Sequence, residues 1–374
     1  MKRISSGKAK CLPRLIGMVA WMSLACHATN HAQSIMLPSF AEIPLWIRTA
    51  PPEETRVEIG IIHRADTNVR PLLRQGTESD FNGRHAYYVG NQLYAVRLHR
   101  GKWELGCAYG QADLFQGDQG AAQLFLETER GALNPNTAHG VQATLNRSAI
   151  HRWTLAYHDQ TELREGMLRY RLALNWLVLQ RVQVGDLAGQ RRGDQFEGTL
   201  NLTTTRGLPP EAVDGRGVTL DMGCELVWKH GRAGVQVENL WSQLQIRQAQ
   251  RIEARIRVNQ PIPDADGFLR APPFLEGRTQ TIRVARRALP AVQGFLSGVW
   301  ADTEAALLWR YDFEWVIGVG MKRGTLWGIV WLNRPTLQLG YTTARWNLTL
   351  RLDGLDTARL RHFGMALSMG LPLR

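Results

Sequence analysis

Arginine alternates with apolar residues in several stretches of this sequence, which places guanidinium groups along one face of a strand. In "MLRYRLALNW", residues 167–176, Arg169 and Arg171 oppose Leu168, Tyr170 and Leu172. Successive side chains of a strand point to opposite faces, so this spacing separates charge from apolar surface. Guanidinium groups that face water could line an anion-selective pore. Paired with carboxylates of neighbouring strands such as Glu225 and Glu253, they would instead fill and stiffen the interior. Under either hypothesis, the lumen-lining candidates are Arg169, Arg171, Arg255, Arg257, Arg283, Arg310, Asp312, Glu314, Arg345 and Arg351.

The histidines give little sign of catalysis. None of them forms an H-E-x-x-H motif, and neither a G-x-S-x-G motif nor a phosphate-binding glycine loop is present. His158, followed by Asp159, is the single sequence feature that suggests a membrane-embedded lipid hydrolase, but no serine lies beside it. We therefore predict no catalytic residues, no metal site, no cofactor and no enzymatic activity, with an outer-membrane lipid hydrolase as the alternative.

The first 32 residues are typical of a cleaved secretory signal peptide. Five basic residues and no acid occupy positions 1–14, and the apolar run "LIGMVAWMSLA" follows before small residues. A lipoprotein anchored at Cys26 is the alternative. Beyond this segment no run of eighteen apolar residues occurs, which argues against a helical membrane protein.

Charge and cysteine content narrow the class further. The chain has 45 basic and 33 acidic residues, and five of the basic ones lie in the signal. The arginines are scattered rather than clustered, so nucleic acid is not an expected partner. Only Cys107 and Cys224 follow the signal. We expect them to act as small apolar residues, while a bond between them stays open.

Strand-like alternation extends along the rest of the chain. In "GVTLDMGCELVWKHG", residues 217–231, Val218 to Trp228 form an apolar face opposite Asp221, Glu225 and Lys229. Turn chemistry separates such runs, as in "HRGK", "KHGRAG", "MKRG" and "LNRP". One segment, 241–259, is ambiguous because its middle could be helical. Residues 33–55 contain four prolines and are irregular.

Three features favour lipid rather than a protein core as the partner of the apolar faces. Tryptophan recurs at the ends of these faces, charged residues occupy the opposite faces in mid-strand, and several runs reach the length of a tilted membrane strand. We therefore predict an all-β transmembrane antiparallel barrel over residues 56–374. A soluble secreted β-sandwich or propeller is the alternative.

Part of the sequence resembles a known family. "VDGRGVTLDMGCELVW" and "GRAGVQVENLWSQL" are similar to paired strands of the fatty-acid-transporter class and the related conjugation- and secretion-accessory barrels. The matching positions are Gly217, Asp221, Gly223, Gly234, Asn239 and Leu240. The closing "HFGMALSMGLPL" is also similar to these barrels, although the chain ends in Leu-Pro-Leu-Arg rather than near an aromatic residue. The resemblance implies about 14 strands (range 12–18) and a hatch in the lumen, for which residues 33–55 are the candidate.

These observations predict a protein of a Gram-negative outer membrane. Its role would be a channel or transporter for small or hydrophobic solutes, or an accessory barrel of a surface assembly or secretion system. The expected partners are the outer-membrane lipid bilayer with its lipopolysaccharide and, for the accessory role, a surface assembly complex.

Overall fold

The computed structural model describes most of the chain beyond the signal region. The described residues are 34–40, 43–45, 54–69, 84–130, 138–193, 195–205, 215–258, 262–263, 269–270, 273–311, 314–354 and 360–373. The predicted signal peptide, Asp312 and much of the segment 33–55 lie outside them. Within these ranges no helix is long and apolar enough to cross a membrane.

The described residues form nineteen strands and one helix. The strands are β1 Ser34–Ile35, β2 Arg56–Thr67, β3 His85–Arg100, β4 Trp103–Asp118, β5 Ala138–Leu163, β6 Gly166–Arg192, β7 Gln195–Thr204, β8 Gly215–Trp228, β9 Gly231–Val258, β10 Ile262–Pro263, β11 Leu269–Arg270, β12 Pro273–Ala288, β13 Ala291–Trp300, β14 Thr303–Tyr311, β15 Trp315–Arg323, β16 Leu326–Trp331, β17 Thr336–Thr342, β18 Trp346–Leu352 and β19 His362–Pro372. The helix, α1, is Gln119–Arg130.

Fourteen of the described strands close into an antiparallel barrel, which confirms the predicted fold class and strand number. The ring runs through β2–β6, β8, β9 and β13–β19, and β19 pairs with β2 to close it. Closure removes the open strand edges that a sandwich would keep. The soluble sandwich and propeller alternatives are therefore wrong.

The two ends of the barrel differ in their connections. At one end two-residue turns join β3 to β4, β5 to β6, β8 to β9 and β13 to β14, and Arg56 pairs there with Pro372. At the other end the connections include residues 68–84, 353–361 and the helix α1. Outer-membrane barrels have short turns on the periplasmic side. We therefore call the short-turn end the periplasmic end.

Three strands extend far beyond the ring at the opposite end. β5, β6 and β9 have 26, 27 and 28 residues. β6 pairs with β8 in the ring and with β7 in its distal part. β9 pairs with β8 and β13 in the ring and with β7 and β12 in its distal part. The ambiguous segment lies within β9 as far as Val258 and is strand, not helix. Gly193, which follows β6, has a φ of 63°.

Sequence analysis did not identify α1. The Asp118 side chain accepts the Ala121 backbone N–H at 2.7 Å, as an N-cap does. Ala121 then packs against Val141 and Phe196 of the distal strands.

The outside of the ring is an apolar belt. Leu155 is 45% and Leu339 51% exposed, and aromatic residues such as Trp153, Trp176 and Trp346 are also exposed. At the periplasmic end the Trp103 and Tyr157 rings meet at 5.1 Å. An apolar belt bordered by aromatic residues fits a bilayer and would be costly in water.

Cys107 is exposed and Cys224 half-buried, and both are free.

Candidate functional site

The N-terminal segment, of which the structure describes residues 34–40 and 43–45, lies inside the barrel. Ile35 and Leu37 belong to a buried cluster with Ile150, Leu244 and other residues of β5, β6, β9 and β12. Met36 packs against Val89 and Leu114 of β3 and β4, the second of which adjoins β5 in the ring. Further along the segment, Ile43 packs with residues of β2 and β3, and Leu45 packs against a cluster of β13–β16. The segment therefore crosses the lumen and contacts walls around the ring.

Polar side chains of the wall hold the backbone of this segment. Asn146 accepts the Met36 N–H at 2.9 Å and donates to the Ser34 carbonyl at 2.6 Å. Arg152 donates to the Pro38 carbonyl at 2.7 Å, and Asn91 donates to the Ser39 carbonyl at 2.8 Å. Buried backbone groups need such partners, and here side chains rather than a sheet ladder provide them.

Further along, Gln293 accepts the Leu45 N–H at 3.1 Å. β1 adds one short backbone pairing, parallel to Arg287 and Ala288 of β12. Most bonds of the segment are thus to side chains, which can exchange partners without opening the wall.

A local irregularity in β9 shapes the wall beside the segment. Asn239 has a φ of 58°, and the β8–β9 pairing shifts register between Leu220 and Met222. Asp221 accepts the Asn239 N–H at 2.8 Å, and the Asn239 side chain donates to the Leu289 carbonyl at 3.1 Å. Asp221 and Asn239, two positions of the sequence resemblance, therefore stabilise one bend of the wall.

Between the N-terminal segment and the periplasmic end lies a cavity of about 770 Å³, which we call the vestibule. Phe40, Ile43 and Leu45 border it, and charged residues make up much of the rest of its lining. The lining basic residues are Arg56, Arg97, Lys102, Arg152, Arg169, Arg171 and Arg345, and the acidic ones are Glu58, Glu104, Asp159, Asp221, Glu225 and Glu238. The two signs nearly cancel, so the vestibule is strongly polar without a large net charge.

Glu104 is deeply buried in the vestibule wall, at 2% exposure. Its carboxylate contacts Arg171 at 3.0 Å, His158 at 2.9 Å and Arg97 at 3.8 Å. Glu58 contacts the His99 ring nitrogen Nε2 at 3.3 Å. One ligand-type atom each of His99, Glu104 and His158 lie within 4.8 Å of one another. Sequence analysis missed this cluster, because its members come from strands whose mutual register is not visible in the sequence.

A second ion-pair network is centred on Asp66, which is fully buried on β2. Its carboxylate bonds Arg64 at 2.5 Å and also Arg351, and it lies 3.9 Å from Arg334. Arg334 in turn contacts Glu314 at 2.5 Å. Buried charges persist only when paired in this way, so the network fixes β2 against β18 and the β16–β17 connection.

The structure separates the predicted lumen-lining residues into three groups. Arg169, Arg171 and Arg345 line the vestibule. Arg310 and Arg351 are buried, with Arg310 stacked 5.2 Å from the Trp331 ring. Glu314 belongs to the Asp66 network, and Asp312 lies outside the described residues.

Arg255, Arg257 and Arg283 do not line the vestibule. The first two lie on the distal part of β9, where both contact Glu197 of β7. Arg283 is exposed, and its neighbours Ile282 and Val284 both pack against the cluster that contains Ile35. The Arg283 side chain therefore points to the outer face. The reason is that Ile282 and Val284, the apolar face of this part of β12, pack inward against the cluster that contains Ile35 rather than against lipid.

In the described residues, His158 and Asp159 do not form the pair that suggested a lipid hydrolase. His158 contacts Glu104 inside the barrel, whereas the Asp159 carboxylate contacts Lys102, Tyr157 and Tyr170. The hydrogen bond to Asp159 also raises the pKa of Lys102 in the β3–β4 turn. Neighbours in sequence thus point away from each other, as strand geometry requires.

A closed antiparallel barrel with an apolar belt defines the class: the chain is an integral outer-membrane β-barrel protein. No family model matches the sequence, and no curated protein matches it.

Among solved structures, the chain is similar to the toluene transporter TodX of P. putida, with 10% identity, 92% of this chain and 97% of that chain covered, and a TM-score of 0.44. It is also similar to the toluene transporter TbuX of Ralstonia pickettii, with 8% identity, 86% and 90% covered, and a TM-score of 0.28. The siderophore receptor PirA of Pseudomonas aeruginosa matches with 8% identity, 86% and 81% covered, and a TM-score of 0.19.

Proposed function

We propose that the protein is a gated outer-membrane channel for small polar solutes. The observation that carries this proposal is the position of the N-terminal segment, which crosses the lumen directly above the vestibule. In the proposal this segment is the gate and the vestibule is the periplasmic half of the path.

The chemistry of the vestibule supports a polar solute rather than a hydrocarbon. Arg169 and Arg232 share Glu225, and Arg171 shares Glu104 with His158. A lining of paired charges presents both donors and acceptors to a polar solute, although apolar side chains such as Phe40, Ile43 and Leu45 border the same cavity. Because basic and acidic groups nearly balance, selectivity between small cations and anions would be weak.

The way the segment is held supports a gate. Each side-chain hydrogen bond between wall and segment contributes on the order of 1 kcal/mol net. A few such bonds can be exchanged for bonds to water or solute, whereas a continuous sheet ladder would resist release. The segment contains Pro38 and Pro44, which lack the N–H groups that a ladder needs.

Planar-bilayer conductance tests the proposal. The wild-type barrel should be closed most of the time, and a double variant Asn91→Ala, Asn146→Ala should open far more often. The matched control is Asn201→Ala, because Asn201 bonds Asp186 in the distal extension and contacts no part of the segment. Heat-modifiable migration in detergent gels would show that each variant is folded.

Deletion of residues 34–45 gives a second test, because it removes the gate altogether. A folded deletion variant should be permanently open and should admit small zwitterionic solutes into vesicles. If both the double variant and the deletion variant fold but conduct no more than wild type, the channel function is excluded.

A further inference from the structure

Four consecutive strands each place one metal-binding side chain at the periplasmic end of the lumen. Glu58 lies on β2, His99 on β3, Glu104 on β4 and His158 on β5. His99 and Glu104 are paired directly across the β3–β4 hairpin, and the His158 backbone N–H donates to Lys102 in its turn. The three side chains of His99, Glu104 and His158 bring one ligand atom each to within 4.8 Å of one another.

His99 shows that this cluster is incompletely satisfied. Its side chain is only 6% exposed, and its Nδ1 atom has no hydrogen-bond partner. A buried polar atom without a partner costs free energy, so it points to a missing group. Its other ring nitrogen, Nε2, already contacts the Glu58 carboxylate at 3.3 Å. Histidines that bind metal commonly donate their second N–H to a carboxylate, and His99 already has this pattern.

Glu104 is held in a matching way. One oxygen, Oε1, contacts Arg171 at 3.0 Å, while the other, Oε2, contacts His158 at 2.9 Å. Arg171 therefore orients the carboxylate from behind and leaves Oε2 beside the histidine ring. Two imidazoles and a carboxylate oxygen thus lie within 4.8 Å of one another, close enough to be drawn together as three ligands of one tetrahedral ion.

We propose that His99, Glu104 and His158 bind one Zn²⁺ ion in the vestibule. Two imidazoles and one carboxylate form a ligand set that Zn²⁺ prefers, whereas Ca²⁺ and Mg²⁺ select oxygen ligands. Glu58 supports His99 from outside the site, through the contact of its carboxylate with the His99 Nε2 atom. All three ligands border the vestibule, so the fourth position of the ion faces the cavity and is open to water or a solute.

Bound zinc would join β3, β4 and β5 at their periplasmic ends. Its presence does not depend on whether the barrel conducts, so the zinc site can be confirmed or excluded independently of the channel function. The ion would also hold both histidines neutral, because only the deprotonated ring nitrogen can bind.

The test uses the folded barrel in detergent, stripped of metal with a chelator. Competition with a chromophoric zinc indicator should show one Zn²⁺ per barrel. His99→Ala and His158→Ala should each weaken the affinity by about tenfold or more. His151→Ala is the matched control, since His151 lies on the same strand as His158 but bonds Gln180 and stacks on Tyr109.

Cobalt provides a readout that needs no variant. Co²⁺ in place of Zn²⁺ should give a visible absorption spectrum of four- or five-coordinate geometry, which excess Zn²⁺ removes. Absence of stoichiometric Zn²⁺ binding by the folded wild type would overturn the proposal. Equal affinity in wild type and in the folded double variant His99→Ala, His158→Ala would overturn it as well.

Discussion

Asn146 and Met36 are joined through the lumen, with the Asn146 Oδ1 atom accepting the Met36 N–H at 2.9 Å. The Asn146 Nδ2 atom donates to the Ser34 carbonyl at 2.6 Å, so one carboxamide satisfies both polar groups around Ile35. Asn146 is itself buried, at 5% exposure. This bond pair makes Asn146 the side chain on which the closed state depends most.

Asn146→Asp should therefore raise the open probability. The substitution keeps the acceptor for Met36 but sets a carboxylate oxygen against the Ser34 carbonyl, where a donor stood. Losing one buried hydrogen bond costs about 1–3 kcal/mol, which corresponds to roughly five- to 150-fold in the opening equilibrium. Single-channel recordings measure this directly. An Asn201→Asp barrel should behave as wild type, and equal opening in both variants would contradict the assigned role of Asn146.

Gly110 on β4 should be a second determinant of closure. A Cβ atom at this position would lie 2.7 Å from the Pro38 side chain and 2.8 Å from Leu93. Gly110→Ala should therefore push Pro38 away from the wall and increase conductance. Gly106 lies on the same strand, and a Cβ there would meet nothing closer than 3.5 Å. Gly106→Ala should leave conductance unchanged in the same recordings.

Asp66→Asn should be strongly destabilising. The substitution leaves the guanidinium groups of Arg64 and Arg351 buried without their shared carboxylate. Breaking a buried ion pair from one side costs about 3–5 kcal/mol. Urea unfolding from lipid vesicles measures the free energy of unfolding. Glu253→Gln should cost about 1 kcal/mol or less, because its partners Arg251 and Arg278 are exposed.

Leu155→Arg tests whether the apolar belt faces lipid. An arginine on the lipid face costs about 2–4 kcal/mol near the bilayer midplane and less toward the interfaces. Leu155 lies close to Tyr157 at the periplasmic border, so the lower part of this range is expected. Thr279→Arg, on the exposed distal part of β12, should have little effect because that part lies beyond the ring. Folding yields into vesicles compare the two variants. A similar yield for both would contradict the membrane assignment of β5.

Cys107 gives an independent probe of the same surface. Its side chain is exposed on β4, opposite Val96 and Trp153 of the neighbouring strands. In a Cys224→Ala variant within vesicles, Cys107 should react slowly with a charged maleimide and readily with an apolar one. Rapid reaction with the charged reagent would place this face against water.

Sequence alternation predicted the strands well because it records which face of each strand is apolar. For β8 it placed Asp221 and Glu225 inward, where both border the vestibule. It failed at Arg283, since alternation shows which residues share a face but not which face points inward, and here the apolar face packs against Ile35 inside the barrel. Sequence alternation also failed to predict the helix α1, which is short and packs on only a few residues.

The site was harder to predict than the fold because its contacts join distant parts of the chain. Arg351 and Asp66 are 285 positions apart, and His158 is 54 positions from Glu104. The sequence predicted charged interior faces but could not show which charges meet. The pairing of an arginine with a particular acid depends on barrel closure and stagger, which no single strand encodes.

The N-terminal segment also constrains the order in which the barrel is assembled. It precedes β2 in the chain, yet its hydrogen-bond partners Asn91, Asn146 and Gln293 belong to β3, β5 and β13. The segment is therefore synthesised before the strands, but its hydrogen bonds form late, after most of the barrel wall has been built. Before that point the inner wall carries unpaired asparagine, glutamine and arginine side chains that lipid cannot solvate. Docking of the segment and joining of β19 to β2 should accordingly be coupled, so that the barrel closes around its own gate.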